Sequence, residues 1–389
     1  MMLGLLLARA GVDVTVMEKH ADFLRDFRGD TVHASTLRLL DDLGLGAAFA
    51  ALPHRMIESV NATIQDTTVR IDLTRLPGPH KHIALVPQWD FLELLATAAE
   101  KEPSFHLLRS TEVLGLLRTG RRVTGVSHRT ADGGLGEMRA DLVVGCDGRA
   151  STLRDAATMT TRNFGAPMDV WWFRLPRNDS DPHGLNGIFQ SGHGCALIDR
   201  GDYFQVAYLI RKGADAEMRA EGIESLRRQV TTLVPWLSDR VETLQSFDDV
   251  KLLDVQLNRL RRWYSDGLLL IGDAAHAMSP IGGVGINLAV ADAVAAGRIL
   301  AEPLRRRRVT TMDLAKVQAR RWLPAAIIQR VQRTIQDRAI AVAIGTDAGL
   351  GTAPRAVRLA NRFPALGAVA AYGVAIGPLP ERAPAYARR

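Results

Sequence analysis

The first twenty positions of the chain change from one hydrophobic period to another. Leu3, Leu6 and Leu7 recur at the spacing of a helix face, and Gly11 stands where a helix would stop. The three valines that follow alternate with other residues, as in a half-buried strand. The pattern therefore predicts a helix, a tight turn and a short strand that ends at Glu18.

A helix followed by a strand is the second half of a βαβ unit. In a dinucleotide-binding unit of this kind, an acidic residue closes the second strand about 20 residues after a G-x-G-x-x-G turn and binds ribose hydroxyls. Glu18 occupies that position, so the first strand and its glycines are expected immediately before Met1. We expect a start codon assigned too late, with a genuine truncation or a remnant as alternatives. The 389-residue chain is then expected to bind its dinucleotide weakly and to aggregate, and the upstream codons to restore binding.

The leucine-rich run LLLARA also imitates a secretory signal peptide. However, no basic region precedes it, the apolar run is short, and a strand pattern follows at once. We therefore favour the helix.

Further changes of period indicate that the chain leaves one domain and returns to it. Alternation over residues 59–73 predicts an antiparallel hairpin, and the aromatic stretch 169–210, with its Gly and Asp turns, predicts an antiparallel sheet. A helix is expected over 216–233. The fold class is therefore α/β, with a Rossmann-like domain that is incomplete at its N-terminus, an interleaved antiparallel sheet and a helical C-terminus. The expected segments are 1–58, 81–165 and 251–310 for the Rossmann-like domain, 59–80 and 166–250 for the sheet domain, and 311–389 for the C-terminal helices.

Composition narrows the class of protein but not the reaction. The chain is 47% hydrophobic, which is typical of a folded globular protein. Cys146 and Cys195 are the only cysteines and form no C-x-x-C pair, so neither a disulfide framework nor a metal site is expected, and a reducing cytoplasm fits. The apolar stretch 365–377 is too short and too rich in glycine for a membrane span.

The formal net charge of +7 does not indicate a nucleic-acid-binding protein. Nearly all of the positive charge is arginine, and it is scattered along the chain rather than gathered into one stripe. The one dense run, 305–308, joins two predicted helices and is interpreted as a solvated connection. The expected partner is a small-molecule substrate, and a homodimer is possible.

The most informative stretch of the sequence lies between residues 268 and 296. An apolar strand runs into Gly272 and Asp273, so the carboxylate stands at the carboxyl end of a strand, where open α/β sheets bind their ligands. A loop with Gly282, Gly283 and Gly285 then leads directly into a helix. Glycines let a flat or anionic group approach the backbone, and the first amides of the helix stabilise negative charge.

This stretch resembles a known family. GLLLIGDAAHAMSPIGGVGINLAVADAV resembles the second FAD-binding motif of the para-hydroxybenzoate hydroxylase-type (class A) flavoprotein monooxygenases, and DLVVGCDGRASTLRDAA resembles their Asp-Gly motif. The resemblance extends from Leu3 to about Leu304. It implies FAD as the cofactor, NADPH or NADH as the electron donor, and hydroxylation of an aromatic or polyketide-like small molecule through a flavin C4a-hydroperoxide.

The resemblance also implies roles for individual residues. It places Glu18 at the adenosine ribose, Arg28 and Gln88 at the pyrophosphate and ribityl chain, and Asp273 at the ribityl hydroxyls. At the flavin ring it places Pro280 beside the isoalloxazine and the loop of Gly282, Gly283, Gly285 and Asn287 at the N1–C2 edge. Asp147 and Gly148 are placed between flavin and nicotinamide. Pro280 and Asp147 are the residues nearest the chemistry. Arg154 is a candidate anchor close to them.

No catalytic base is evident from the sequence. His33, His193 and His276 are candidates by position, although a lone histidine is more often structural. Trp172, Phe189, Tyr203 and Gln205 lie on the predicted sheet and are candidate substrate contacts, with core packing as the alternative.

Three other functions stay open at this stage: a flavin-dependent reductase or dehydrogenase, a flavin-free remnant, and a halogenase. The halogenase hypothesis depends on WWFRLP, whose spacing is inexact, and on an essential lysine that has no clear match in this sequence, although Lys81 is present.

Overall fold

The computed structural model describes residues 1–24, 31–64, 67–190, 192–337 and 364–389, with the backbone alone for 364–366. Its helices, in chain order, are α1 (Met2–Arg9), α2 (Ala34–Asp42), α3 (Gly46–Ala50), α4 (Gln88–Ala99), α5 (Thr152–Ala156), α6 (Asp215–Ala220), α7 (Ile223–Leu233), α8 (Gly285–Arg305), α9 (Thr311–Ile335) and α10 (Pro364–Ala375).

Twenty strands accompany these helices in the described residues. They are β1 (Val14–Met17), β2 (Thr31–Val32), β3 (Arg55–Ile57), β4 (Ser59–Ile64), β5 (Thr67–Asp72), β6 (Ile83–Leu85), β7 (Phe105–Leu108), β8 (Glu112–Thr119), β9 (Arg122–Arg129), β10 (Leu135–Arg139), β11 (Val143–Gly145), β12 (Thr161–Asn163), β13 (Met168–Pro176), β14 (Leu185–Gln190), β15 (His193–Asp199), β16 (Tyr203–Arg211), β17 (Lys251–Leu253), β18 (Asn258–Leu260), β19 (Tyr264–Ser265) and β20 (Leu268–Leu270).

Short parallel ladders form the centre of the α/β half. β1 pairs with β7, and β11 pairs with β20, both in parallel. Among the described strands, β1 has no second neighbour and β11 has none besides β20, so the two ladders are separate. Leucines of α1 pack with α4 and α8 in the largest apolar core, where Leu5 and Leu6 are fully buried. The predicted opening helix and strand are thus present as α1 and β1.

A seven-stranded sheet forms the second half, in the order β17-β13-β16-β15-β14-β4-β5. Its pairs are antiparallel except for β14 with β4, which is parallel. The predicted hairpin of 59–73 therefore joins the same sheet as 169–210. Side chains alternate across β13: Trp171 and Phe173 pack under α7, whereas Val170 and Trp172 lie on the opposite face.

The predicted helix over 216–233 is wrong in one respect, because it is two helices, α6 and α7. Gly222 lies between them at φ +84°, a left-handed conformation that breaks the helical path.

The C-terminal helices are attached to both halves. α9 packs along α8, and α10 packs against β5 of the large sheet. One helical stretch of the described residues, Ile281–Arg305, is long and apolar enough to cross a membrane. Most of its apolar window is buried, because α8 lies between α1 and α9 as a core helix.

Candidate active site

A cleft of about 2160 Å³ separates the α/β half from the seven-stranded sheet. Its walls include the edges of β1 and β11, the loop before α8, one face of β13–β16, and parts of α9 and α10. Pockets for a single small ligand measure roughly 300–1,000 Å³. The cleft therefore has room for more than one bound molecule.

Asp273 lies at the carboxyl end of β20 and lines this cleft. Backbone hydrogen bonds to β11 hold β20 in place, and one more, from Ile271 N to Gly145 O at 3.1 Å, continues the pairing one residue beyond β20. Gly272 then turns the chain at φ +59°. The Asp273 carboxylate is about one-third exposed and forms an ion pair with Arg149, whose Nη2 lies 3.5 Å from Oδ2. It is positioned to accept hydrogen bonds from ligand hydroxyls.

A buried ionic network fixes the backbone just before Asp273. Asp292 on α8 accepts hydrogen bonds from Gly272 N at 3.1 Å, from His276 Nε2 at 2.6 Å and from Arg321 Nε at 2.9 Å. Burial alone would raise the pKa of Asp292, but His276 and Arg321 hold that pKa below its usual range. The network ties β20, α8 and α9 to one another.

The loop before α8 requires glycine at two adjacent positions. Gly282 and Gly283 have φ values of +77° and +60°. A Cβ at Gly283 would also collide with Thr31, whose Oγ1 donates to Gly283 O at 2.7 Å. Gly285 begins α8, and a Cβ built there would meet nothing within 4 Å. The first amides of α8 therefore border open space in the cleft, as an anion site requires.

Asn287 holds this loop rather than facing the cleft. Its Oδ1 accepts from His33 N at 2.9 Å and from Thr36 Oγ1 at 2.7 Å, and its Nδ2 donates to Thr31 O at 3.1 Å. The side chain lines a separate small pocket beside α2. The Asn287 side chain is thus not placed to contact a cofactor in the cleft directly.

Asp147 and Gly148 lie at the cleft, where Asp147 also organises its own loop. Its Oδ1 accepts from Ser151 Oγ at 2.6 Å and its Oδ2 from Leu153 N at 3.0 Å, so both carboxylate oxygens support the start of α5. Gly148 has a φ of +82°, and no atom would touch a Cβ there. The candidate anchor Arg154 is buried and donates to Arg149 O and Ala274 O.

Glu18, Gln88 and Pro280 are the remaining predicted cofactor residues with described positions, and all three line the cleft. Glu18 follows β1, and Gln88 is the first residue of α4; both line the cleft. Glu18 Oε1 accepts from His20 N at 3.0 Å. Pro280 lines the cleft on the loop before α8. The prediction for Arg28 lies outside the described residues.

The three candidate histidines all make structural hydrogen bonds, and none is among the described residues that line the cleft. His33 Nδ1 lies 2.7 Å from Val374 O, and burial lowers the pKa of His33 to about 4, so the ring is neutral. His193 Nδ1 lies 2.7 Å from Tyr208 Oη. His276 belongs to the Asp292 network. No base for the reaction is evident among them.

The structure separates the predicted substrate residues into two groups. Trp172, Phe189 and Gln205 line the cleft on the sheet face opposite α7. Tyr203 does not: it lies at the start of β16, where Arg174 stacks on its ring at 4.7 Å. Sequence reasoning missed the contribution of α9 and α10, because their apolar residues carry no motif.

The cleft fits FAD by its chemistry as well as by its size. Two carboxylates, Glu18 and Asp273, line the cleft and are of the chemical type that accepts hydrogen bonds from sugar hydroxyls, and the start of α8 offers amides to a developing anion. A model of the FAD binding domain family matches residues 1–331. The chain belongs to this family. The match confirms the predicted family and cofactor.

Relatives in the same family define the enzyme class. The chain is 35% identical to the 6-methylpretetramide 4-monooxygenase of Streptomyces rimosus over 370 residues, which are 93% of this chain and 86% of the relative. It is 27% identical to a flavin-dependent monooxygenase of Mycobacteroides abscessus over 317 residues, 76% of this chain and 63% of the relative's length. The chain is therefore an oxidoreductase of the FAD-dependent monooxygenase class, as predicted.

A solved structure shows the same fold. The anhydrotetracycline hydroxylase OxyS of Streptomyces rimosus superposes with a TM-score of 0.78 at 23% identity, over 98% of this chain and 74% of that one. The interleaved α/β and sheet architecture of this family member is thereby confirmed.

Proposed function

We propose that this family member hydroxylates a polycyclic aromatic, polyketide-like small molecule with FAD, NADPH or NADH, and oxygen. The observation that carries the proposal is that a single cleft runs from the glycine loop before α8 to an apolar sheet face. The relative with 35% identity is named for oxidation of a 6-methylpretetramide, which supports a fused-ring substrate.

Bound FAD would supply the redox chemistry, namely acceptance of a hydride and activation of oxygen. The chain's own residues would bind and orient it. Glu18 and Asp273 would accept hydrogen bonds from its hydroxyls, Gln88 would contact its central region, and Pro280 would border its ring system. The amides at the start of α8 would stabilise negative charge on the reduced ring.

The sheet face would hold the substrate and exclude water. Apolar side chains from the adjacent strands β13 and β16 line the cleft, namely Val170, Trp172 and Ala207. Phe189 adds an aromatic ring from β14. Apolar residues of α9 and α10 continue this surface, including Ile327, Val331 and Tyr372, which would bury flat hydrocarbon rings.

Two polar groups on the sheet face would orient the substrate. The indole N–H of Trp172 is buried and has no hydrogen-bond partner among the described residues. The amide oxygen of Gln205 is held by Arg200 at 2.6 Å, which leaves the Gln205 NH2 group as a donor toward the ligand. Donors of this kind suit the carbonyl or phenolic oxygens of an aromatic polyketide.

The proposal is tested by incubating the protein with FAD, NADPH or NADH, a tetracyclic phenolic polyketide and ¹⁸O₂. We expect substrate-dependent oxidation of the nicotinamide and one ¹⁸O atom in the product. Peroxide without a labelled product, for every aromatic substrate tried, would instead favour a reductase or oxidase. Asp273→Ala is the control at limiting FAD, where we expect lower activity, because it removes the acceptor carboxylate without removing core volume.

The same proposal includes the domain boundaries predicted from the sequence. It also includes a cytoplasmic location and a homodimer. The pairing of β4 with β14 supports the assignment of 59–80 and 166–250 to one sheet domain. Light scattering of the purified protein would distinguish a dimer from a monomer.

A further inference from the structure

The end of α9 and its C-cap residue, Gln336, carry three buried glutamines that contact the segment before α8. Gln329, Gln332 and Gln336 are each at most 3% exposed. Their spacing of three and four residues places them on the same side of the helix. Burial of a primary amide is unfavourable unless its groups are hydrogen-bonded. All three amides make such bonds, and all contact the stretch between residues 258 and 281.

Gln332 makes the densest set of these contacts. Its Oε1 accepts from Ser279 N at 3.2 Å, and its Nε2 donates to Ser279 O at 2.9 Å and to Ile281 O at 2.9 Å. The side chain thus pairs with Ser279 in the way that a neighbouring strand would. It also reaches the residue on the far side of Pro280, so its amide brackets that proline.

Gln329 and Gln336 add further hydrogen bonds to the same segment. Gln336 Nε2 donates to Ser279 Oγ at 3.0 Å. Gln329 Nε2 donates to Ala277 O at 3.1 Å and to Asn258 O at 2.7 Å, and Arg259 holds its Oε1 at 2.9 Å. These glutamine side chains thus hold the backbone of 277–281, in addition to the backbone hydrogen bond from Asn258 N to Ala277 O at 3.2 Å.

The segment that these glutamines hold, residues 277–281, has little support of its own. Pro280 has no N–H to donate, and Gly282 and Gly283, which follow Ile281, have left-handed conformations. The position of Pro280 and of the α8 amides in the cleft therefore depends on contacts from elsewhere.

We propose that Gln332, flanked by Gln329 and Gln336, is a positioning residue that sets the distance between the Pro280 loop and the flavin ring. This inference rests on the proposed placement of the flavin beside Pro280 and the start of α8. It assigns to α9 a role in the redox properties of the cofactor, in addition to its packing on α8.

The test compares Gln332→Met with Gln318→Met. Gln318 lies on the same helix and makes the same kind of contact, accepting from Trp263 N at 2.9 Å and donating to Arg261 O at 2.8 Å, but it holds a turn that does not line the cleft. Both substitutions conserve approximate volume and remove one hydrogen-bonded amide, which is buried at Gln332 and half-buried at Gln318. Both variants should therefore lose some stability, whereas only Gln332→Met should change the properties of the flavin.

We expect Gln332→Met to weaken FAD binding about tenfold or more, as the loss of buried hydrogen bonds predicts. The flavin midpoint potential should also fall, because the amides at α8 would stabilise the reduced anion less well. Gln318→Met should leave both quantities at the parent values. Equal FAD affinity and equal potential in all three proteins, or equal changes in both variants, would overturn the proposal.

A second variant covers the case in which Gln332→Met does not fold. Gln336→Met removes the hydrogen bond to Ser279 Oγ, the one that its side chain makes to the described residues, and should change affinity and potential in the same direction by less. No change in Gln336→Met would then contradict the proposal. These readouts need no substrate, so they are independent of whether the hydroxylation assay succeeds.

Discussion

The two sides of the cleft are held in place by different interactions. The loop wall, residues 272–287, is fixed by hydrogen bonds from distant elements: Asp292 on α8, Gln332 on α9 and Thr31 on β2. The sheet wall, the cleft-facing side of β13–β16, is shaped mainly by alternate apolar side chains, such as Val170 and those around it. Hydrogen bonds fix positions to fractions of an ångström, whereas apolar packing chiefly fixes volume. The loop wall therefore suits one invariant cofactor, and the sheet wall suits a substrate class.

The largest effect is expected from a substitution that breaks the ionic network behind the loop wall. Asp292→Ala leaves Arg321 and His276 buried without their acceptor, so we expect a loss of about 3–5 kcal/mol in the free energy of unfolding. Urea unfolding measures it. Glu302→Ala, which removes an exposed ion pair on the same helix, should cost well under about 1 kcal/mol. Similar losses in the two variants would contradict a structural role for the Asp292 network.

The next effect concerns the cofactor side of the loop wall. Asp273→Ala should weaken FAD binding by about 1.5–3 kcal/mol for each charge-assisted bond lost, with little change in stability. Flavin fluorescence during an FAD titration gives the dissociation constant relative to the parent. The control Asp266→Ala removes a carboxylate just before the same strand, where it forms only a half-exposed pair with Arg122. If the Asp266 variant loses as much affinity, the assignment of Asp273 is wrong.

A third effect is a pH dependence of the loop wall. Burial lowers the pKa of His33 to about 4 from 6.5, so the unfolded chain takes up a proton first as the pH falls. The free energy of unfolding should therefore drop between pH 6.5 and pH 4, by about 2 kcal/mol between pH 7 and pH 5 from this residue. His33→Gln should remove that part of the slope, whereas His106→Gln at an exposed pair should not. An unchanged slope in the His33 variant would argue against a buried neutral ring.

The smallest effect belongs to the sheet wall. Phe189→Ala should raise KM for an aromatic substrate about tenfold while FAD affinity stays at the parent value, because only apolar contact area is lost. Steady-state kinetics at saturating FAD measure it. Tyr203→Ala, on the same sheet but outside the cleft, is the matched control and should leave KM unchanged.

The sequence predicts the loop wall better than the sheet wall. Asp273 and the glycines stand in one continuous stretch, so spacing alone places them at a strand end and a helix start. The side-chain network behind them was not predictable, because Gln332 and Arg321 lie on a helix whose pattern contains no motif. The position of Asn287 in the motif was clear, but not that its amide would bond to Thr31, His33 and Thr36.

On the sheet wall, alternation predicts that neighbouring residues face opposite ways but not which face meets the cleft. Trp171 and Trp172 are equally aromatic, yet only Trp172 lines the cleft, because α7 covers the other face. Tyr203, another predicted contact, is the first residue of β16 and is not among the described residues that line the cleft. Such choices depend on packing between elements far apart in the chain.

The most direct test of this division is to measure two affinities in two variants. Asp273→Ala and Phe189→Ala are each titrated with FAD, and then, at saturating FAD, with a tetracyclic phenolic polyketide. We expect a crossed result: the Asp273 variant loses FAD affinity and the Phe189 variant loses substrate affinity, each with the other constant near the parent value. Equal losses of both affinities in both variants would contradict separate cofactor and substrate walls.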